Sequence, residues 1–195
     1  MLGKLLDAIS GGRHRGVQAP APEPDRAPEP RPPEPEPPVL PFEIRPSEPG
    51  DRARLPALFR ASIQGLAHRD HDPEQLRDWA AEADADTFAA ELDQGVTVVA
   101  LEFGRPVAFA QLAPLDYLNM LYVHPDSAGE GIATLLFQYL EDEARIAGAQ
   151  TIRTHASPTA RRFLIGSGFE EVAAETVQYG RSELQRVRME KRLRN

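Results

Sequence analysis

Residues 121–136 read LYVHPDSAGEGIATLL. The apolar run Leu121–Val123 has the makings of a strand and stops at Pro125. A polar turn follows with Ala128, Gly129, Glu130 and Gly131, and Ile132-Ala133-Thr134-Leu135-Leu136 then opens a helix. A strand leading through glycines into a helix start presents unpaired backbone N–H groups, a natural place for an anion. The dinucleotide fingerprint G-x-G-x-x-G is incomplete, because Thr134 stands at the third glycine position, and the G-K-[ST] of a P-loop is absent. Spacing alone leaves two readings open: a phosphate-holding turn, or a plain strand-to-helix connection whose glycines only permit tight geometry.

Working outward, the pattern repeats the same logic. Apolar periodicity predicts a helix over 132–147, closed by Gly148, and then a strand over 151–155. Strand, helix and strand make a β-α-β unit, whose crossover is right-handed and whose strands 116–123 and 151–155 run parallel. Alternation puts Leu121 and Val123 on the helix side, and Asp116, Leu118, Met120 and Tyr122 on the other. Upstream come a short strand at 42–45, a helical pattern over 49–65, and a helix from Asp72-Pro73-Glu74 through Trp79. A short helix at 87–92 and strands 95–103 and 107–112 around Gly104-Arg105-Pro106 complete that half. Downstream, a helix over 157–167 precedes two strands, 170–179 and 182–193, around Gly180. The order predicts an α+β fold: a mixed, mostly antiparallel twisted sheet with helices on both faces and a central β-α-β unit.

Composition bounds the function. The 195 residues are 41% hydrophobic, enough for one ordinary domain, and the net charge of −8 speaks against a nucleic-acid partner. No cysteine is present, which excludes disulfides, thiolate metal sites and a Cys nucleophile. No apolar run approaches the roughly 20 residues that span a bilayer. The first residues lack the apolar core of a signal peptide, so a cytoplasmic protein is expected. Ten of the 19 prolines lie between Pro20 and Pro38. Residues 11–41 therefore read as a disordered Pro/Glu-rich spacer. Before it, Leu2, Leu5, Leu6 and Ile9 share one face of a short amphipathic helix over 1–10. That piece reads either as a frayed start or as a docking element for a protein or membrane surface. The compact domain is expected over 42–195, and homodimerisation is left open.

At the opening stretch the sequence resembles the GNAT family of acyl-CoA-dependent N-acetyltransferases. The family pattern [Q/R]-x-x-G-x-[G/A], after a strand ending L-x-V-x-P, is met by Leu121, Val123, Pro125, Gly131 and Ala133. Ala128 takes the place of the usual Gln or Arg. A second family element aligns with Ser157, Ala160, Leu164, Gly168 and Phe169, where Ser157 replaces Asn and Leu164 replaces a Tyr that donates a proton in many members. The resemblance implies acetyl-CoA as acyl donor and an amine as acceptor, on a small molecule or a protein. It implies that Leu121, Tyr122 and Val123 pair with the pantetheine arm. The pyrophosphate would be cradled by Ala128, Gly129, Glu130, Gly131, Ile132, Ala133 and Thr134, with Ser157 nearby. Direct attack of the amine in a ternary complex follows. A module that binds CoA with little turnover, as a sensor or in an assembly, is the alternative.

The proton-transfer groups are the open part. The family's usual base position offers no Glu, since Tyr117 and Asn119 stand there. Tyr122 faces the acceptor side by alternation and carries an ionisable hydroxyl, though it can equally pack against the first helices. His155 ends the partner strand and is the side chain best matched to proton transfer near neutral pH, though a merely hydrogen-bonded strand-end histidine reads the same way. His68 and His71 are spaced like a metal pair, but no third ligand is evident and no metal is expected. The basic run Arg186, Arg188, Lys191, Arg192 and Arg194 is expected on the exposed face of an edge strand.

Overall fold

The computed structural model describes residues 41–193. The helix expected over 1–10, and all but the last residue of the spacer expected over 11–41, lie outside the described residues. The elements run β1 (Glu43–Pro46), α1 (Pro49–Arg52), α2 (Leu55–Leu66), α3 (Pro73–Ala80), α4 (Asp86–Leu92), β2 (Val96–Glu102) and β3 (Arg105–Leu112). They continue through β4 (Tyr117–Val123), α5 (Ile132–Ile146), β5 (Thr151–Ala156), α6 (Pro158–Gly166), β6 (Glu170–Tyr179) and β7 (Ser182–Arg192). Seven strands form one sheet in the order β1-β2-β3-β4-β5-β7-β6. Every neighbouring pair is antiparallel except β4 and β5, the parallel pair of the β-α-β unit.

Burial explains the apolar run of β2. Val98 and Ala100 pack with Leu136 and Leu140 of α5 on one face, and Val99 with Leu55, Phe59 and Ile63 of α2 on the other. Each fully buried Leu or Ile contributes roughly 1.5–3 kcal/mol relative to an exposed one. The helix expected over 49–65 is two helices. Pro56 lies in the first turn of α2, where its missing N–H is harmless, whereas a continuous helix would set its ring against the carbonyl of Arg52.

Two further expectations are corrected. Gln111 faces Met120 and Leu112 faces Leu118, so Asn119 is an extra residue, a bulge in β4. Alternation is reset there, and Leu118 joins the α5 face, while Met120 and Tyr122 stay on the α2 face as expected. The bulged Asn119 donates through Nδ2 to Gln111 Oε1 at 2.9 Å, and the buried Gln111 amide in turn donates to the Gln94 carbonyl at 3.0 Å. The basic run as far as Arg192 is not on an edge strand, and Arg194 lies outside the described residues. The edge is β6, and β7 lies between β5 and β6. Lys191 turns to the α5 face and pairs with Glu141 at 2.7 Å, while Arg186 and Arg188 turn to the other face and meet Glu175.

Candidate active site

The site begins where β4 and β5 part. They are paired only at Tyr117–Arg153 and Leu118–Thr154. Past that point α5 and α6 fill the same side of the sheet, and the two strands diverge around a cleft of about 170 Å³. Leu121, Tyr122 and Val123 line it from β4, Ala133 from α5, and Ser157, Ala160 and Phe163 from the start of α6. The N–H of His124 donates to Val107 of β3 at 2.7 Å. By strand alternation the N–H of Val123 therefore points the opposite way, into the gap. Ser157 caps α6, its Oγ accepting from the Ala160 N–H at 3.3 Å. A neighbouring pocket of about 80 Å³ continues between the strands, lined by Asn119, Thr154, His155, Leu164 and Trp79.

At the other end stands the glycine turn. The N–H of Ala128 donates to the carbonyl of Pro125 at 3.2 Å, so among the amides from Ala128 to Ala133 this one is turned back into the loop. Thr134 and Leu135 return their N–H groups to the carbonyl of Gly131. Among the described residues, the amides of Gly129, Glu130 and Gly131 serve no backbone bond of the turn. Ile132 and Ala133, in the first turn of α5, have no helical acceptor before them. Gly129 (φ 89°) and Gly131 (φ 81°) both sit in the left-handed region, and a Cβ built on either would meet nothing within 4 Å. The space in front of the amides is open, and the residues there suit an anionic group.

On the α2 face the cleft is walled by aromatic rings. Tyr122 lies between Phe59 at 4.6 Å and Phe109 at 5.5 Å, and burial pushes its phenol far above the usual range. Trp79 stacks on Tyr179 at 6.1 Å. The hairpin carrying Tyr179 is clamped to α3: Asp78 accepts from the Arg181 N–H at 3.0 Å, and Gln75 donates to the Glu183 carbonyl at 2.8 Å. His71 is buried edge-on to Trp79, while His68 is exposed and bonded within its own turn, its Nδ1 2.9 Å from the Gly65 carbonyl.

His155 stands at the seam. Its Nδ1 lies 2.5 Å from the Tyr117 hydroxyl, and its Nε2 lies 3.1 Å from Glu175. Burial, then Arg186, lowers its pKa below the ordinary imidazole value, with Glu175 acting against them. Burial raises that of Tyr117. Sequence reading reached His155 but passed over Glu175. That residue comes from a strand whose register cannot be read from spacing. Trp79 carries only a helix-end signal in the sequence.

An Acetyltransferase (GNAT) domain model matches residues 67–193. This chain belongs to the GNAT acetyltransferase family. As a GNAT protein it is an N-acetyltransferase, and its sheet and helices have the family's arrangement. It is 29% identical over 137 residues to the "Uncharacterized N-acetyltransferase YafP" of Escherichia coli (strain K12), covering 70% of this chain and 87% of that protein. A crystal structure of a GCN5-related N-acetyltransferase from Rhodopseudomonas palustris is similar at TM-score 0.75 and 38% identity, over 77% of this chain and 95% of that one. PaiA N-acetyltransferase from Thermoplasma acidophilum, solved in complex with coenzyme A, shares the fold at TM-score 0.63 and 18% identity, over 78% of this chain and 99% of its own. No helix among the described residues is long and apolar enough to cross a membrane.

Proposed function

We propose that this GNAT protein transfers the acetyl group of acetyl-CoA to an amine of a small molecule or a protein, by direct attack in a ternary complex. The observation that carries the reading is the parting of β4 and β5 beyond Leu118 and Thr154, which opens a slot through the sheet with the glycine turn at one end. Pantetheine lies along Leu121–Val123 as an added strand. The pyrophosphate takes the free amides from Gly129 to Ala133 and the positive end of α5. The Val123 N–H, facing the gap, polarises the thioester oxygen as charge develops on it.

The amine enters from the face of Trp79 and Tyr122. An alkylamine has a pKa of about 10 and must shed a proton before or during attack, whereas a thiolate leaves with little help. Leu164 is buried and offers no proton. Tyr122, closed in by Phe59 and Phe109, packs rather than ionises. The proton role falls to the His155 ring together with the groups bonded to it, burial and Arg186 favouring the neutral imidazole.

Two measurements test this. Calorimetric titration with CoA compares the parent with Gly131→Asp, which sets a carboxylate in front of the amides. Loss of binding is expected, and parent-like affinity in the variant would sink the pyrophosphate site. Release of CoA thiol is then followed with acetyl-CoA and a panel of amines. A rate that no amine raises above background would count against transfer.

A further inference from the structure

Both nitrogens of the His155 ring are already engaged. Glu175 as a carboxylate only accepts, so the nitrogen facing it, Nε2 at 3.1 Å, carries the hydrogen. Nδ1 is then the lone-pair nitrogen, and at 2.5 Å it accepts from the Tyr117 hydroxyl. The imidazole has no free lone pair for an incoming amine. The Tyr117 oxygen does, because a hydroxyl that donates once still accepts. Tyr117 is paired with Arg153 in the parallel ladder, and His155 follows Arg153 by two residues, so both side chains lie on the face of the sheet from which the amine comes.

We propose that Tyr117, not His155, is the catalytic residue that takes the proton from the amine, with His155 receiving it through Tyr117 and Glu175 as the positioning residue. The proposal rests on the acetyl-transfer reading above. The amine, as the free base that has given its ammonium proton to solvent, attacks the thioester carbon with its lone pair, and its nitrogen becomes positive. Its N–H proton passes to the Tyr117 oxygen while the Tyr117 proton passes to Nδ1, so Tyr117 stays a phenol throughout. The imidazolium so formed is held by Glu175. The C–S bond breaks with its electron pair on sulfur, and the imidazolium proton returns through Tyr117 to the thiolate. The products are an amide and CoA thiol, and the relay is restored.

The surroundings suit a relay that receives and passes on a proton. Asp116 and Arg153 pair with each other at its outer end. Arg186 at 3.2 Å and Arg188 at 3.5 Å hold Glu175 from β7. Tyr179 of β6 stacks on Trp79, and a charge on Tyr117 would disfavour one on Tyr179. The two guanidiniums against one carboxylate leave the ring short of negative charge, which together with burial favours its neutral form. Burial of Tyr117 opposes its ionisation, so it conducts a proton rather than storing a charge.

The test measures kcat and kcat/KM against pH for the full chain with acetyl-CoA and its best amine, alongside the CoA Kd. Tyr117→Phe is expected to lower kcat about 10²-fold with the CoA Kd within about twofold, a typical contribution from one proton-transfer group. A kcat within threefold of the parent overturns the proposal. Glu175→Gln removes the group that raises the His155 pKa, so the acidic limb of kcat/KM should move to lower pH, with Glu175→Asp restoring part of the rate. Glu175 is half-buried on the edge strand β6, and Glu175→Gln keeps its size, so this arm stands even if Tyr117→Phe does not fold, and a limb that stays in place overturns the relay. If the parent binds CoA yet acetylates no amine, the acetyl-transfer reading fails and takes the relay with it. A parent that turns over, matched by Tyr117→Phe, fails the relay alone.

Discussion

The hydroxyl of Thr154 donates 2.8 Å to the carbonyl of Leu118, and this side-chain bond sits at the last rung that β4 and β5 share. Both residues are buried. The bond sits where the strands begin to part, and so where the cleft between them starts.

Thr154→Val keeps the shape and removes the donor. The Leu118 carbonyl then loses a partner out of reach of water, which costs about 1–3 kcal/mol. Urea unfolding should show that loss in midpoint with an unchanged slope. A midpoint equal to the parent's would mean the bond does not hold the fork.

Gly65 sits near the end of α2, where a Cβ would stand 2.2 Å from Cγ of Pro125, the first residue of the loop leading to the glycine turn. In an ordinary helix Gly→Ala gains about 0.8–1 kcal/mol. Here the overlap with a rigid ring costs about 1–3 kcal/mol. Gly65→Ala should therefore destabilise on balance and weaken CoA binding by shifting the turn. Thermal melts and calorimetric titration check both, and a stabilised variant with parent-like CoA affinity would refute the close approach.

Ala128 is exposed at the mouth of the turn. Its side chain adds no donor, where relatives of this family usually place Gln or Arg. A hydrogen bond to a charged group is worth about 1.5–3 kcal/mol, less where solvent screens it. Ala128→Arg should tighten CoA binding by roughly 0.5–1.5 kcal/mol, about two- to tenfold in Kd. An unchanged Kd would place the pyrophosphate away from this position.

His155 also marks the pH dependence of folding. Its folded pKa lies below the ordinary value of 6.5, so between the two the unfolded chain binds more protons than the folded one. Its contribution makes stability rise with pH through that window and level off above it. His155→Gln should flatten the slope of unfolding free energy in the window just below pH 6.5. Equal slopes in parent and variant would show that the ring titrates alike in both states.

Much of this was legible from spacing. The strand ending at Val123, the left-handed glycines and the helix opened by Ile132 are local signals, and local chemistry decides them. Asp72 capping Glu74 and Gln75 is legible for the same reason. The side of the sheet that Leu118 takes was not, because the bulge at Asn119 is created by pairing with β3 and by the Gln111 amide, neither of which its own sequence reveals. The Glu175–His155–Tyr117 chain was hidden more deeply. Its members are far apart in sequence, and they meet only because β7 slots in beside β5 and carries β6 with it. Reading β7 as an edge strand concealed that the basic run faces Glu175.

That insertion has a consequence for how the protein is made. During synthesis β5 leaves the ribosome before β6, and β6 before β7, yet β7 is the strand that β5 needs. Until β7 arrives, the ladder from Thr151 to Ala156 is an open edge next to a half-built slot. A nascent chain that has finished β6 holds Tyr117, His155 and Glu175 but has nothing to seat Glu175 beside the ring. A pause in translation between Tyr179 and Ser182 would prolong the interval in which β5 can recruit the wrong neighbour.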